Sequence, residues 1–167
     1  MPPEPAAPVD LGAWRASDVL AERCGFAVTA AGVEELASRG LIRPAGSYRR
    51  CQLYSGEDLA AVDPGAVADA QARRDRTAAE AAAYMDIRER DFRLLAKVGL
   101  IRPARHVDGQ WARFPVYACA ALDDFLARPD IDWATVRATP RGRRSPLYRL
   151  CEPELVLMAL GWSPGKT

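Results

Sequence analysis

Gly40-Leu41-Ile42-Arg43-Pro44 recurs unchanged as Gly99-Leu100-Ile101-Arg102-Pro103, 59 residues further along a chain of 167. An identical pentapeptide in so short a chain marks an internal repeat, and the chain reads as one small unit built twice. Ahead of the first copy, Val33, Leu36 and Ala37 stand at helical spacing, with Thr29 placed to cap the helix and Gly40 where it stops. An earlier short helix, capped by Ser17 or Asp18, runs to about Cys24 and ends at Gly25. Behind the pentapeptide, turn formers at Pro44, Ala45, Gly46 and Ser47 separate Leu41-Ile42-Arg43 from the β-forming stretch Tyr48 to Tyr54. A third helix then opens at Asp58 and Leu59 and is stopped by Pro64 and Gly65.

The second copy repeats this order. Thr77-Ala78-Ala79-Glu80 is a capping box, Met85 and Asp86 mark a turn, and Phe92, Leu95 and Ala96 form the apolar stripe of a helix ending at Gly99. Its hairpin is longer, with a tight-turn signal at Asp108-Gly109 flanked by Arg105, His106, Trp111, Arg113 and Phe114. Both copies place leucine five residues after the hairpin tyrosine, Tyr54 with Leu59 and Tyr117 with Leu122. The resulting division is a flexible tail over 1–13, a first unit over 14–65, a helical or loose linker over 66–76, a second unit over 77–128, and a C-terminal basic segment and helix over 129–167. In that last part Leu147-Tyr148 echoes Leu53-Tyr54, the trace of a degenerate third unit, and an apolar helix is expected from Pro153 to Leu160.

Composition narrows the function classes. The apolar content of 49% with 27% charged residues fits a globular chain, and no apolar run approaches a membrane span. The proline-rich start carries no signal-peptide core, so the expected location is the cytoplasm. Cys24, Cys51, Cys119 and Cys151 are too widely spaced for a zinc site, and His106 is the one histidine, so neither a metal nor a cofactor is expected. With no phosphate loop and no nucleophile motif, the chain does not read as an enzyme.

Net charge is +1, but residues 1–70 carry −4, residues 71–128 carry +3 and residues 129–167 carry +2. Arginine outnumbers lysine 21 to 2, which codon usage alone can produce. Position is more telling. Arg90, Arg93 and Lys97 fall at i, i+3 and i+7 on one helix face, preceded by Arg88, whereas the first unit has Ala31, Glu34 and Ser38 there, with Thr29 in place of Arg88.

Helix, turn, helix ending in Gly-Leu-Ile-Arg-Pro, a hairpin, and then Leu53-Tyr54-Ser55-Gly56-Glu57-Asp58-Leu59 resembles the winged helix-turn-helix domain of MerR-type regulators and phage excisionases. The two copies together cover about residues 16–126 of the likeness. The resemblance implies a mainly α fold with small β-hairpin wings, two tandem winged helix-turn-helix units and a C-terminal extension. It also implies binding of double-stranded DNA, with the second helix in the major groove and the wings on the backbone.

The residues expected at DNA are Arg88, Arg90, Arg93, Lys97, Arg102, Arg105 and Arg113 of the second unit, Arg43, Arg49 and Arg50 of the first, and Arg141, Arg143 and Arg144 beyond them. The arginine and tyrosine that MerR-type proteins usually carry in the second helix are missing from the first unit. A transcriptional regulator, an excisionase-like directionality factor or an architectural factor, bacterial and nucleoid-associated, all fit. The alternative is an interaction module, in which winged helices mediate self-association or hold a protein partner through the first unit or the C-terminal helix.

Overall fold

The structure, a computed structural model, describes residues 9–108 and 112–161. The chain is mainly helical with small antiparallel sheets and divides into two compact units, Met1–Arg74 and Asp75–Thr167.

The repeated pentapeptide encodes a helix stop joined to a core anchor. In the first unit, α1 (Ala13–Cys24) leads to α2 (Ala30–Ser38); in the second, α5 (Ala78–Met85) leads to α6 (Glu89–Lys97). Gly40 and Gly99 both take left-handed φ, 72° and 78°. In that conformation the Gly40 amide donates to the Ala37 carbonyl at 2.9 Å and the Leu41 amide to the Leu36 carbonyl at 3.0 Å. Gly99 and Leu100 repeat the pattern onto Ala96 and Leu95 at 3.1 and 3.0 Å, so each glycine closes its helix by satisfying carbonyls that the last turn leaves free. Ile42 and Ile101 are then buried in the cores of their own units, with Tyr54 and Leu59 in one and Tyr117 and Leu122 in the other.

The first hairpin, β2 (Pro44–Tyr48) with β3 (Cys51–Tyr54), turns later than expected. Pro44 to Ser47 lie within β2, where a bulge between Pro44 and Gly46 absorbs them, and the turn is Arg49-Arg50 at φ 48° and 67°. Positive φ at both central residues is what a two-residue turn matching strand twist requires. The second hairpin pairs β4 (Arg105–Asp108) with β5 (Arg113–Val116); the Asp108-Gly109 turn and Trp111 fall outside the described residues.

Each hairpin gains a further partner at the same edge. β1 (Leu11–Gly12) pairs with β3, Leu11 opposite Tyr54, and Arg76 pairs with Tyr117 through backbone bonds of 2.9 and 2.8 Å. Leu11 and Gly12 are therefore sheet rather than tail, because an extended segment there satisfies an open strand edge; the Asp10 carboxylate accepts from the Gly56 amide at 3.1 Å. Residues 1–8 of the expected tail are not among those described. Helix α1 begins before Ser17 and Asp18, and Ser17 sits inside it, its hydroxyl donating to the Trp14 carbonyl at 2.7 Å.

Two expectations about connections are corrected by packing. Pro64-Gly65 does not stop α3 (Gly56–Ala61); it starts α4 (Pro64–Arg73), capped by Asp63 on the Ala66 amide at 3.0 Å, since proline at the first helical position has no amide to satisfy. Val67 and Ala70 of α4 are buried in the first core, so residues 66–73 are the helical form of the expected connection and belong to the first unit. In the second unit α7 (Cys119–Leu126) is followed by α8 (Trp133–Ala138) and α9 (Leu147–Ala159), whose Val136, Leu147 and Cys151 complete the second core. The stretch after residue 128 is thus part of the second unit rather than an extension or a third copy. Helix α9 begins six residues before Pro153, the expected start, and accommodates that proline inside it. Trp162 lies outside the described residues. Among those described, no helix is long and apolar enough to cross a membrane.

Candidate nucleic-acid interface

In the second unit, α6 turns Phe92 and Leu95 into the core, with the Phe92 ring edge-on to Tyr117 at 4.8 Å. Helical periodicity then sends Arg90, Arg93 and Lys97 outward, and all three are exposed. Arg93 is held by Glu89 one turn earlier, at 2.8 and 2.6 Å, while Arg90 and Lys97 have no ion pair among the described residues.

Arg88 is not part of that face. Its Nε and Nη2 donate to the buried Asp91 carboxylate at 2.7 and 3.2 Å, and its Nη1 reaches the carbonyls of Pro140 and Arg143 at 3.3 and 3.0 Å. Arg88, expected at DNA, instead commits four of its five N–H donors to a buried carboxylate and two carbonyls, which makes it a structural tie in this unit. The loop it ties carries Arg141, Arg143 and Arg144, all exposed. Arg144 lies 3.5 Å over the Tyr148 ring. Arg149, in the first turn of α9, is also exposed. It was missed in the sequence because Leu147-Tyr148 reads as a strand echo, which hides the helical register.

The corresponding helix of the first unit has another fate. α4 packs across α2, and only Ser38 among the residues of α2 is exposed. Gly32 makes the close approach possible, since a methyl group there would stand 2.2 Å from the Gln71 side-chain oxygen. That oxygen accepts from the Thr29 amide and hydroxyl at 3.0 and 3.1 Å, and Arg39 bridges Glu35 and Asp69 at 2.8 and 2.6 Å. The expected Thr29 cap is present, on Gly32 at 3.3 Å.

The hairpins are unequal as well. Arg43 is clamped by Asp58 through two 2.9 Å bonds and lies 3.6 Å from Glu57; Arg43 holds the Asp58 carboxyl below the usual carboxylate range. Arg105 is bound to Asp75 at 2.9 Å, and Arg113 lies 3.4 Å from Asp108. Arg102 is exposed without an ion pair among the described residues, and so are Arg49 and Arg50, with Arg49 over the Tyr48 ring at 5.3 Å.

No family model, curated protein or solved structure matches this chain. Between the two copies, equivalent helices differ in both sign of charge and access.

The four cysteines are free, and burial pushes the Cys151 thiol up to about 11. Among the described residues, no three His, Cys, Asp or Glu side chains stand together as metal ligands. Trp133 packs against Phe125 at 6.0 Å, in the second core, as Tyr54 and Tyr117 do in theirs.

Proposed function

We propose that this is a double-stranded DNA-binding protein of two winged helix-turn-helix units in which the second unit reads the groove. The observation that carries the reading is the α6 face, where Arg90 and Lys97 are exposed and free of carboxylate partners among the described residues. A helix of that width fits the major groove, and arginine there pairs with guanine edges or with phosphate. In this reading α2 does not enter a groove, because α4 covers it; the first unit offers Arg49 and Arg50 at its hairpin tip and otherwise serves as scaffold. The protein performs no chemistry of its own, and regulator, directionality factor and architectural factor share this contact.

The test is duplex affinity across a salt series. Arg90→Ala should weaken binding by about 1–3 kcal/mol at a specific site, or lower the salt slope by about 0.9 if it meets phosphate. Glu34→Ala, on the covered helix, should leave affinity unchanged. Equal effects of the two substitutions refute the assignment.

One feature favours a second reading. Val156, Leu157 and Leu160 expose an apolar stripe on α9 and beyond its end, as an interaction module would. A stable dimer in solution with no duplex affinity at low salt would support that alternative.

A further inference from the structure

We infer that residues 140–149 form a second phosphate-binding element beside α6, set in place by Arg88. This deepens the DNA reading and rests on it. The ligand class is the phosphodiester backbone of duplex DNA.

Three observations converge on this segment. The loop is tied at two points to the residue that precedes α6, since Arg88 takes the carbonyls of Pro140 and Arg143 while its other edge holds Asp91. With those carbonyls turned toward Arg88, the side chains of Arg141, Arg143 and Arg144 are left exposed, and none has a carboxylate partner among the described residues. Finally, Arg144 and Arg149 line a concavity of about 480 Å³ with Thr135, Ser145 and Glu152. Arg144 sits over the Tyr148 ring, 3.5 Å from its centroid, and has no hydrogen bond or ion pair among the described residues, so its N–H donors are available to phosphate oxygens. Two guanidiniums facing one carboxylate leave the concavity cationic.

Arg88 is thus a positioning residue. It replaces the DNA contact expected of it by holding other arginines next to the α6 face.

The experiment measures binding of the full-length chain to a mixed-sequence duplex of about three helical turns, over a salt series. Arg141→Gln with Arg143→Gln alters exposed positions alone. The salt slope should fall by about 1.8, at about 0.9 per phosphate, and affinity at about 0.1 M salt by about sixty-fold. Arg88→Met with Asp91→Asn removes the tie without orphaning a buried carboxylate, and should lower the slope by the same amount. Adding it to the loop pair should lower the slope no further. A purely structural role would move the unfolding midpoint and leave the slope unchanged. Arg88→Lys, which keeps a charge for Asp91 but cannot span both carbonyls, should fall between and serves if the double variant does not fold.

An unchanged slope in the Arg141, Arg143 variant overturns the phosphate element, while loss of binding in Arg90→Ala would leave the groove reading standing. A lowered slope in the loop variant but not in either Arg88 variant overturns the positioning role. Absence of wild-type binding at low salt overturns this inference and the DNA reading together.

Discussion

Replacing Gly32 with alanine should destabilise the first unit, yet the same change should stabilise it once Gln71 has been removed. In the wild-type background the new methyl group would stand 2.2 Å from the Gln71 side-chain oxygen, so the carboxamide must leave. It then abandons two bonds to Thr29, at 3.0 and 3.1 Å, one of them from a part-buried backbone amide. Losing these costs about 2–3 kcal/mol, since part of the loss is an unsatisfied amide. Alanine recovers about 1 kcal/mol of helix propensity, leaving a net destabilisation of about 1–2 kcal/mol. Gln71→Ala alone forfeits the same bonds without that gain. In the double variant the nearest remaining Gln71 atom that alanine would also possess is the α-carbon, at 3.6 Å, an ordinary contact. Gly32→Ala there should therefore contribute about 1 kcal/mol of stability. Amide hydrogen exchange of α2 and α4 reads the opening free energy of this unit alone. The same sign of effect in both backgrounds would refute the account of how α4 closes over α2.

Glu89→Gln should raise duplex affinity several-fold at low salt, by releasing Arg93 and removing a charge that repels phosphate; competition binding checks it. Gly40→Ala should cost about 1–2 kcal/mol through left-handed strain, without a clash, as nothing lies within 4 Å of the added carbon; Gly40→Asn should cost less, both read by thermal unfolding. Because Arg43 depresses the Asp58 pKa, that pair's contribution is complete above the ordinary carboxylate range and is lost as pH falls through the depressed value. In Arg43→Gln the Asp58 titration, followed by carboxyl NMR, should return upward toward the ordinary value.

How much of this was legible beforehand differs from residue to residue. The helix stops at Gly40 and Gly99, the Thr77 and Glu80 capping box, and the buried Val33, Leu36, Phe92 and Leu95 all follow from local rules, because a cap or an apolar stripe is set by residues within one or two turns. The first hairpin's turn was misplaced because glycine and proline usually punctuate strands, whereas here a bulge carries them and two arginines take the positive φ.

By itself, the sequence determined that one helix-to-hairpin junction is built twice and that the helices entering it differ in charge. Which helix face meets solvent was decided only in three dimensions. Gln71, far along the chain, seats on Gly32 and closes α2, while the segment after residue 128 folds back into the second core and leaves the Arg90 face of α6 open. The physical reason is that exposure depends on contacts between elements distant in sequence, which no local spacing records. The same holds for Arg88, whose helical register places it before a cationic face but whose partners, Asp91 and the carbonyls of Pro140 and Arg143, turn it inward.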